Sequence, residues 1–509
     1  MDPRMLQMYG ITQETIAMLQ KTQPQDMAVL QKAFTQALGL VWYDLEPSAK
    51  LLYPVITPLR NMIPRVSGAG GTATNWKVIT AINANGLSPG VSEGNRTAKI
   101  TTTAANKTAS YKGLGLEDSV SFEADYAAKN FDDVKALAVL GLLRSLMIAE
   151  EKIILTGVAG YQINSGSAAP TPTATKSGAG ALAFNQTLHC RYVPLTPEGL
   201  AQASVAGGIV QSVTRTNVDA SNDTYNGGCG RISAANNANT GASNNSVIFA
   251  VPAANVTAKT LRGAAGYAWF TGDANVAANL YLAAITTVPT YTATANATGT
   301  QTANDLDTGN DFSNDALVFD GLWGQIMDAN SNAYYRDLGG NNLTGENGTP
   351  NITELDVALK SFWDNYKLSP DLMLMGAQEV KNINAKIMAG NGLPVMRFNM
   401  DAGQSGIPTY TAGAVVGSYL NKYSMSGGSL VRLMLHPNMP AGSIMFYSSS
   451  IPYPLSNVPN LLQMKMRRDY YQIEWPLVKR QYEYGVYEDG LLQNYFPPAF
   501  GLLTGINDG

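Results

Sequence analysis

The residue types that carry most enzyme chemistry are scarce in this chain. Its 509 residues include two histidines, His189 and His436, and two cysteines, Cys190 and Cys229. A closed metal site needs about four such ligands converging on one point. His189 and Cys190 are neighbours, and adjacent strand residues point to opposite faces, so no metal is expected there. Two cysteines make no disulfide framework, which points to a reduced, intracellular protein.

Carboxylates occur in adjacent pairs, Asp132 with Asp133 and Glu150 with Glu151. Acid–base work requires two groups facing one substrate. Adjacent helix positions lie about 100° apart, so capping and solvation are the roles expected of these pairs. The glycine clusters GAGGTATN from Gly68 and GGCGR from Gly227 do not open helices and read as turns. There is no phosphate-binding G-x-x-x-x-G-K-[ST], no H-E-x-x-H, and no G-x-G-x-x-G between a strand and a helix. N-x-[ST] triplets at Asn95, Asn106, Asn222 and Asn347 are expected to be chance matches in an Asn- and Thr-rich chain for which no secretory leader is expected. No catalytic set and no cofactor are expected, and the mature chain is expected to keep its N-terminus.

The densest set of interaction chemistry lies near the end. Arg467, Arg468, Asp469, Glu474 and Arg480 alternate with tyrosines and Trp475. Arg and aromatic residues are what protein interfaces enrich. With Trp76, Lys77, Arg96 and Lys99 further upstream, these are the candidate inter-subunit contacts.

Composition agrees with contact between proteins. Apolar residues make up 45% of the chain, enough for a sizeable core, but charged residues only 14%. Much of the surface must be neutral and polar, or covered by neighbours. The net charge of -4 gives no basic footprint for gripping nucleic acid. No run of about 20 apolar residues is present to span a membrane as a helix.

The elements that must position these residues follow in order. Apolar residues at threes and fours (Met27, Leu30, Phe34, Leu38, Val41) predict short amphipathic helices in an N-terminal arm. Three prolines in LLYPVITPLRNMIPR (51–65) predict an extended connector. Stretches 72–81 and 97–112, joined by turn formers, predict a long hairpin, which two strands cannot stabilise without something to lie on. Residues 131–156 predict one long helix, N-capped by Asn130 and stopped by Gly157, roughly 39 Å long. Residues 158–300 hold ten charged residues and many Ala, Thr, Asn and Gly, yet enough aromatics for a core, and predict an inserted, mostly β domain. From 317 onward LVFDGLWGQI reads as a strand, 353–366 as a capped helix, and DLMLMGAQEVKNINAKIMA as strand then helix. Alternating stretches complete an α+β chain.

This order of parts, with LLYPVITPLRNMIPR, AEEKIILTG, RDYYQIEWPLVKRQYEYGVYEDG and FPPAFGLLTGI, resembles the major capsid proteins of tailed bacteriophages, whose fold is named after phage Hong Kong 97. The resemblance covers roughly residues 40–157 and 317–507. It implies an N-terminal arm and connector (1–65), an extended E-loop hairpin lying over a neighbouring subunit (66–118), and a P-domain with a spine helix (119–157). An inserted β-rich domain (158–312) departs from the minimal pattern. An A-domain (313–455) and a P-domain return with a tail (456–509) complete the fold. It further implies pentamers and hexamers of an icosahedral shell around double-stranded DNA. The DNA would be contained with weak contact, which a weakly acidic lumen suits. The virion capsid would assemble in the host cytoplasm, with portal, scaffolding and decoration proteins as further partners. Some relatives cross-link Lys to Asn; Lys77, Lys99, Lys107 and Lys112 lie in the hairpin, but no cross-link is expected. An encapsulin-like compartment is the competing reading, though such shells are usually shorter. A β-rich adhesin or glycan-binding protein is disfavoured by the missing leader and the missing carboxylate constellation.

Overall fold

The computed structural model describes residues 56–68, 70–82, 86–129, 133–345, 351–389, 417–425, 427–453, 458 and 460–507. The predicted arm helices, the first residues of the connector, Asn130 and Asp132 lie outside the described residues. The chain divides into a unit of Met1–Tyr53 with Glu123–Val134 and a unit of Pro54–Phe122 with Lys135–Gly509. In the former, the part of the helix Phe122–Ala127 from Glu123 onward supplies most of the described residues. Everything below concerns the latter.

Its first element corrects the expectation of an extended connector. Pro58–Met62 is a short helix. Proline fits there because it occupies a first-turn position, where its missing N–H would have had no partner. Pro64 then turns the chain into strand Arg65–Ser67, which runs parallel to Leu462–Glu474. The antiparallel strand Gln481–Asn494 and then Lys112–Ser121 complete a four-stranded sheet. The long hairpin is Ala73–Ile82 paired with Thr102–Ser110. Gly68 pins its base: the N–H donates to the Met466 carbonyl at 2.6 Å, and a Cβ there would lie 2.3 Å from the Tyr111 hydroxyl.

The spine helix spans Val134–Thr156. Its first half is half-exposed on most faces, whereas along its last turns Glu150, Glu151, Ile154 and Leu155 are buried on one broad face and Lys152 and Ile153 on the other stay half-buried. Gly157 stops it where the chains crowd. A Cβ on Gly157 would approach the Ile153 and Phe319 carbonyls to 2.6 and 2.7 Å.

A six-stranded sheet forms the other half of the core, in the order Tyr334–Asn341, Gly501–Ile506, Ile444–Tyr447, Leu372–Met375, Ser429–Leu435, Ser418–Asn421. The helix Thr353–Tyr366 packs on it through Leu355, Leu359 and Phe362, and ends with Lys367 in the left-handed conformation. The N–H of Lys367 then reaches the Trp363 carbonyl and that of Leu368 the Phe362 carbonyl, which satisfies the open end. Two sequence expectations change here. LVFDGLWGQI is not a strand: Leu322–Met327 is a helix burying Leu322, Trp323, Ile326 and Met327. A short apolar run fits either period, and Gly321, whose Cβ would lie 2.2 Å from the Ile153 carbonyl, brings this segment against the spine. The tail is also divided, since Gly501–Ile506 leaves the four-stranded sheet and joins the six-stranded one.

Beside the two-stranded pair Val213–Thr216 and Asn222–Tyr225, residues 158–312 carry two larger sheets of their own. One is Thr290–Ala293, Ser246–Ala250, Thr173–Ser177, and the other Tyr281–Thr286, Gly266–Gly272, Thr187–Leu195, Asn236–Asn239. The core between them contains Cys190, Tyr192, Val247, Phe249, Tyr267 and Trp269. Trp269 is fully buried and donates its indole N–H to Thr286 at 2.8 Å. A second cluster (Val193, Leu195, Phe270, Leu282) covers the opposite face of the larger sheet. The segment docks on the body where Trp323 donates to the Gly263 carbonyl at 3.1 Å and Arg262 to that of Ile326 at 3.0 Å.

Trp269→Ala is expected to destabilise these residues by about 3–5 kcal/mol. Limited proteolysis should then cut within 158–312 at denaturant concentrations that leave the wild type intact.

Candidate assembly site and its buried charge cluster

The side chains that bind the spine to the rest of the chain are the two acids assigned above to solvation. Glu150 and Glu151 are both fully buried. Being adjacent on a helix they face different directions, and each serves a different neighbour. The Glu151 carboxylate accepts the backbone N–H groups of Leu59 at 2.9 Å and Arg60 at 2.7 Å. It thus caps the helix Pro58–Met62, whose own N-cap residue, Thr57, makes no side-chain cap bond. Its Oε1 also meets Nε2 of buried His436 at 2.7 Å. The Asn438 backbone N–H donates to Nδ1 of that ring, so Nδ1 is unprotonated and Nε2 carries the hydrogen. His436 is a neutral donor here.

Glu150 faces two guanidinium groups. Arg60 Nε lies 2.9 Å from its Oε2, Arg65 Nη1 pairs with Oε1, and the Tyr470 hydroxyl donates to Oε2. Arg65 continues outward to Asp469 at 2.7 Å and Glu488 at 2.9 Å. Both guanidinium carbons sit over the Tyr470 ring, 5.1 Å from its centroid for Arg60 and 4.7 Å for Arg65. Burial raises the Asp469 carboxyl most, but the hydrogen bonds from Arg65 and the Tyr470 N–H, with the charges of Arg65 and Arg60, together outweigh it and hold the group below its usual range. For Glu488 the balance goes the other way. Burial, and then repulsion from Glu150, push it up to about 8.

The sequence-predicted contact residues fall into two groups. Arg467 and Asp469 are engaged within the chain: Arg467 Nη2 pairs with Asp489 at 3.0 Å, and Asp469 with Arg65. Arg468 stacks on Tyr471, 3.9 Å from its centroid. Lys77, Arg96, Lys99, Glu474, Trp475 and Arg480 are exposed. Trp76 is half-buried at the hairpin base, edge-on to Tyr495 with ring centroids 6.2 Å apart. Lys77 sits opposite Asn106 in the hairpin register and Glu474 opposite Tyr484. Trp475 begins the turn between the two longest strands and is followed by exposed Leu477 and Val478.

The sequence pattern assigns Glu150 and Glu151 to capping and solvation and gives Arg60, Arg65 and His436 no role in a site. One signal was available: the acids sit in AEEKIILT, where apolar residues flank them on every helical face. Among the described residues no group of three or more His, Cys, Asp or Glu side chains is arranged to hold a metal ion. No helix among them is long and apolar enough to cross a membrane.

No family profile matches this chain, and no curated protein does. Among solved structures it is similar to the capsid of a native GTA particle, at 10% identity and a TM-score of 0.40, with 93% of this chain and 98% of that one covered. It is similar also to the capsid of cyanophage A-1(L), at 11% identity and a TM-score of 0.39, covering 93% and 99%. A third is the holo-SrpI encapsulin complex of Synechococcus elongatus, at 8% identity and a TM-score of 0.38, covering 93% and 95%.

Two outcomes are expected of the cluster. Glu151→Ala leaves His436 and two backbone donors without their acceptor and should cost about 3–5 kcal/mol in denaturant unfolding. Glu488, with its carboxyl raised in the fold, adds stability that is fully present below its usual value near 4.5 and is lost as pH rises through about 8. The thermal midpoint should therefore fall from about pH 6 to about pH 9, and Glu488→Gln should flatten that fall; an unchanged slope would count against the assignment.

Proposed function

We propose that this chain is a structural shell protein, a major capsid protein of the Hong Kong 97 type. Its copies assemble into the pentamers and hexamers of an icosahedral virion shell enclosing double-stranded DNA. The observation that carries this reading is the hairpin. Residues 86–101 are exposed throughout, and the strands below them present Ile79 and Ile82 to solvent at 61% and 66%. Two strands have no core between them, and apolar side chains held out in this way are stable only against another surface.

A second uncovered apolar point supports the same reading. Trp475, Leu477 and Val478 are 39%, 57% and 85% exposed in one turn, beside the charged residues Glu474, Lys479 and Arg480. An aromatic anchor ringed by charge is the composition of an interface centre. Trp76, Lys77, Arg96, Lys99, Arg468, Glu474, Trp475 and Arg480 are accordingly proposed as contacts between copies. Arg467 and Asp469 would act there indirectly, by holding the strand Leu462–Glu474 in place. The chain is proposed to be no enzyme and to need no cofactor.

Electron microscopy of the purified protein tests the proposal directly. Closed shells or ring-shaped capsomers are expected, and a stable monomer at high concentration would refute it. Nucleic acid inside particles recovered from the natural source distinguishes a virion from an encapsulin-like compartment. Trp475→Ala is expected to lower shell yield at least tenfold with a thermal midpoint within about 2 °C of wild type, because the residue is already half-exposed in one copy.

A further inference from the structure

A cleft of about 650 Å³ opens between the base of the hairpin and the body of the same chain. Trp76 and Ile79 of one strand and Lys107 of the other form its roof, and Tyr366, Tyr495 and Phe496 line its floor. Three polar atoms in this lining are buried without a hydrogen-bond partner among the described residues: Trp76 Nε1, Asn494 Nδ2 and Gln325 Oε1. Asn494 is only 5% exposed, and its Oδ1 is already used, accepting from the Phe496 N–H at 3.0 Å. Its amide donors are thus fixed in direction. Gln325 is held likewise, donating to the Asp320 and Leu492 carbonyls at 2.9 and 3.2 Å. Buried polar groups are almost always partnered in the working state of a protein.

Two donors and one acceptor set among aromatic rings are the recognition chemistry of an extended, proline-containing peptide. Aromatic walls take the proline ring, and an indole N–H takes a carbonyl. The chain contains such a segment. Residues 88–91 read Ser-Pro-Gly-Val, adopt no helix or strand, and stand in solvent with Val91 exposed. Proline also biases the residue before it toward extended backbone. Because residues 86–101 are exposed throughout, they do not occupy the cleft of their own chain.

We infer that the cleft beneath the hairpin base receives residues 88–91 of a second copy of this chain, with Pro89 between the aromatic walls. Trp76 and Asn494 donate to its carbonyls, and Gln325 accepts one of its N–H groups. This rests on the self-assembly reading and names the receiving site for the hairpin tip.

Incorporating a photo-reactive phenylalanine at position 91 tests it, using shells assembled from mixed light and heavy isotope-labelled chains. Cross-links are expected between position 91 and peptides containing Tyr366 or Phe496, carrying mixed labels. Asn494→Asp keeps the oxygen that accepts from Phe496 and removes the free donor. It is expected to lower the melting midpoint of the unassembled chain by a few degrees, as a buried carboxylate does, and to reduce assembly at least tenfold at temperatures well below that midpoint. Cross-links that land elsewhere, or that carry one label only, overturn the inference, as does Asn494→Asp assembling like wild type. A wild-type chain that forms no shells overturns the self-assembly reading itself, which separates the two failures.

Discussion

The burial of two adjacent carboxylates at the end of the spine helix is the constraint on which the rest of this structure depends. A buried ionised carboxylate costs several kcal/mol unless partners surround it, and side chains about 100° apart on a helix cannot share one set of partners. Glu150 and Glu151 therefore recruit separate ones. Glu151 fixes the connector helix and His436, which follows a strand of the six-stranded sheet. Glu150 fixes Arg60 and Arg65 and, through Arg65, the two long strands carrying Asp469 and Glu488. Hydrophobic side chains of equal volume would hold these pieces with similar or greater stability. What the charges add is direction, because a guanidinium bonds in its own plane and stacks on Tyr470 in one orientation.

Charge balance inside the cluster explains why Glu488 differs from its neighbours. Four carboxylates (Glu150, Glu151, Asp469, Glu488) meet two guanidinium groups (Arg60, Arg65), which leaves two negative charges in excess if all are ionised. Asp469 reaches solvent and is bonded by Arg65, so it keeps its charge, and Glu151 is bonded by backbone donors and a neutral histidine. Glu488 is buried, has one oxygen on Arg65 and one unpartnered among the described residues, and faces Glu150, so it is the member that takes up a proton. Sequence distance matters as well. Arg65 finds Asp469 and Glu488 at separations of 404 and 423 residues. The cluster cannot close until almost the whole chain is made, and contacts of such separation form late and slowly.

Local pattern carried most of the fold and little of the site. The helix Thr353–Tyr366, the strand and helix around Leu372–Met375, and the paired hairpin strands follow from period and turn chemistry alone, because each is decided by neighbours in sequence. The mixed α+β class follows from the same signals. LVFDGLWGQI failed because six apolar-rich residues satisfy two periods at once, and only contact with the spine selects the helix. Glu150 and Glu151 were misread for a different reason. Charge implies exposure unless counter-charges are near, and theirs come from residues 60, 65 and 436, whose approach no local pattern encodes. Trp475 lies at the other extreme: its residue type and charged neighbours suggest a contact between copies, and in one copy it is partly in solvent.

The cluster and the hairpin are mechanically one device. Arg60 and Arg65 belong to the connector that leads directly into the hairpin, and Gly68, held to Met466, ties the first residues of that hairpin to the same strand that carries Asp469. Thr74 then donates to the Tyr111 hydroxyl at 2.9 Å, closing the base across both strands. Beyond it the strands of ten and nine residues run out over the cleft lined by Trp76 and Ile79, and ten residues extend roughly 33 Å. Over that length an angular error of about 10° at the base displaces the tip by about 6 Å, more than the width of one strand spacing. The tip proposed to meet a neighbour in register would therefore need a base that does not tilt. Dispersion contacts alone tolerate small rotations, because they are non-directional, whereas bonded carboxylate–guanidinium pairs resist them. The directional, buried and otherwise costly charges sit where orientation has the longest lever.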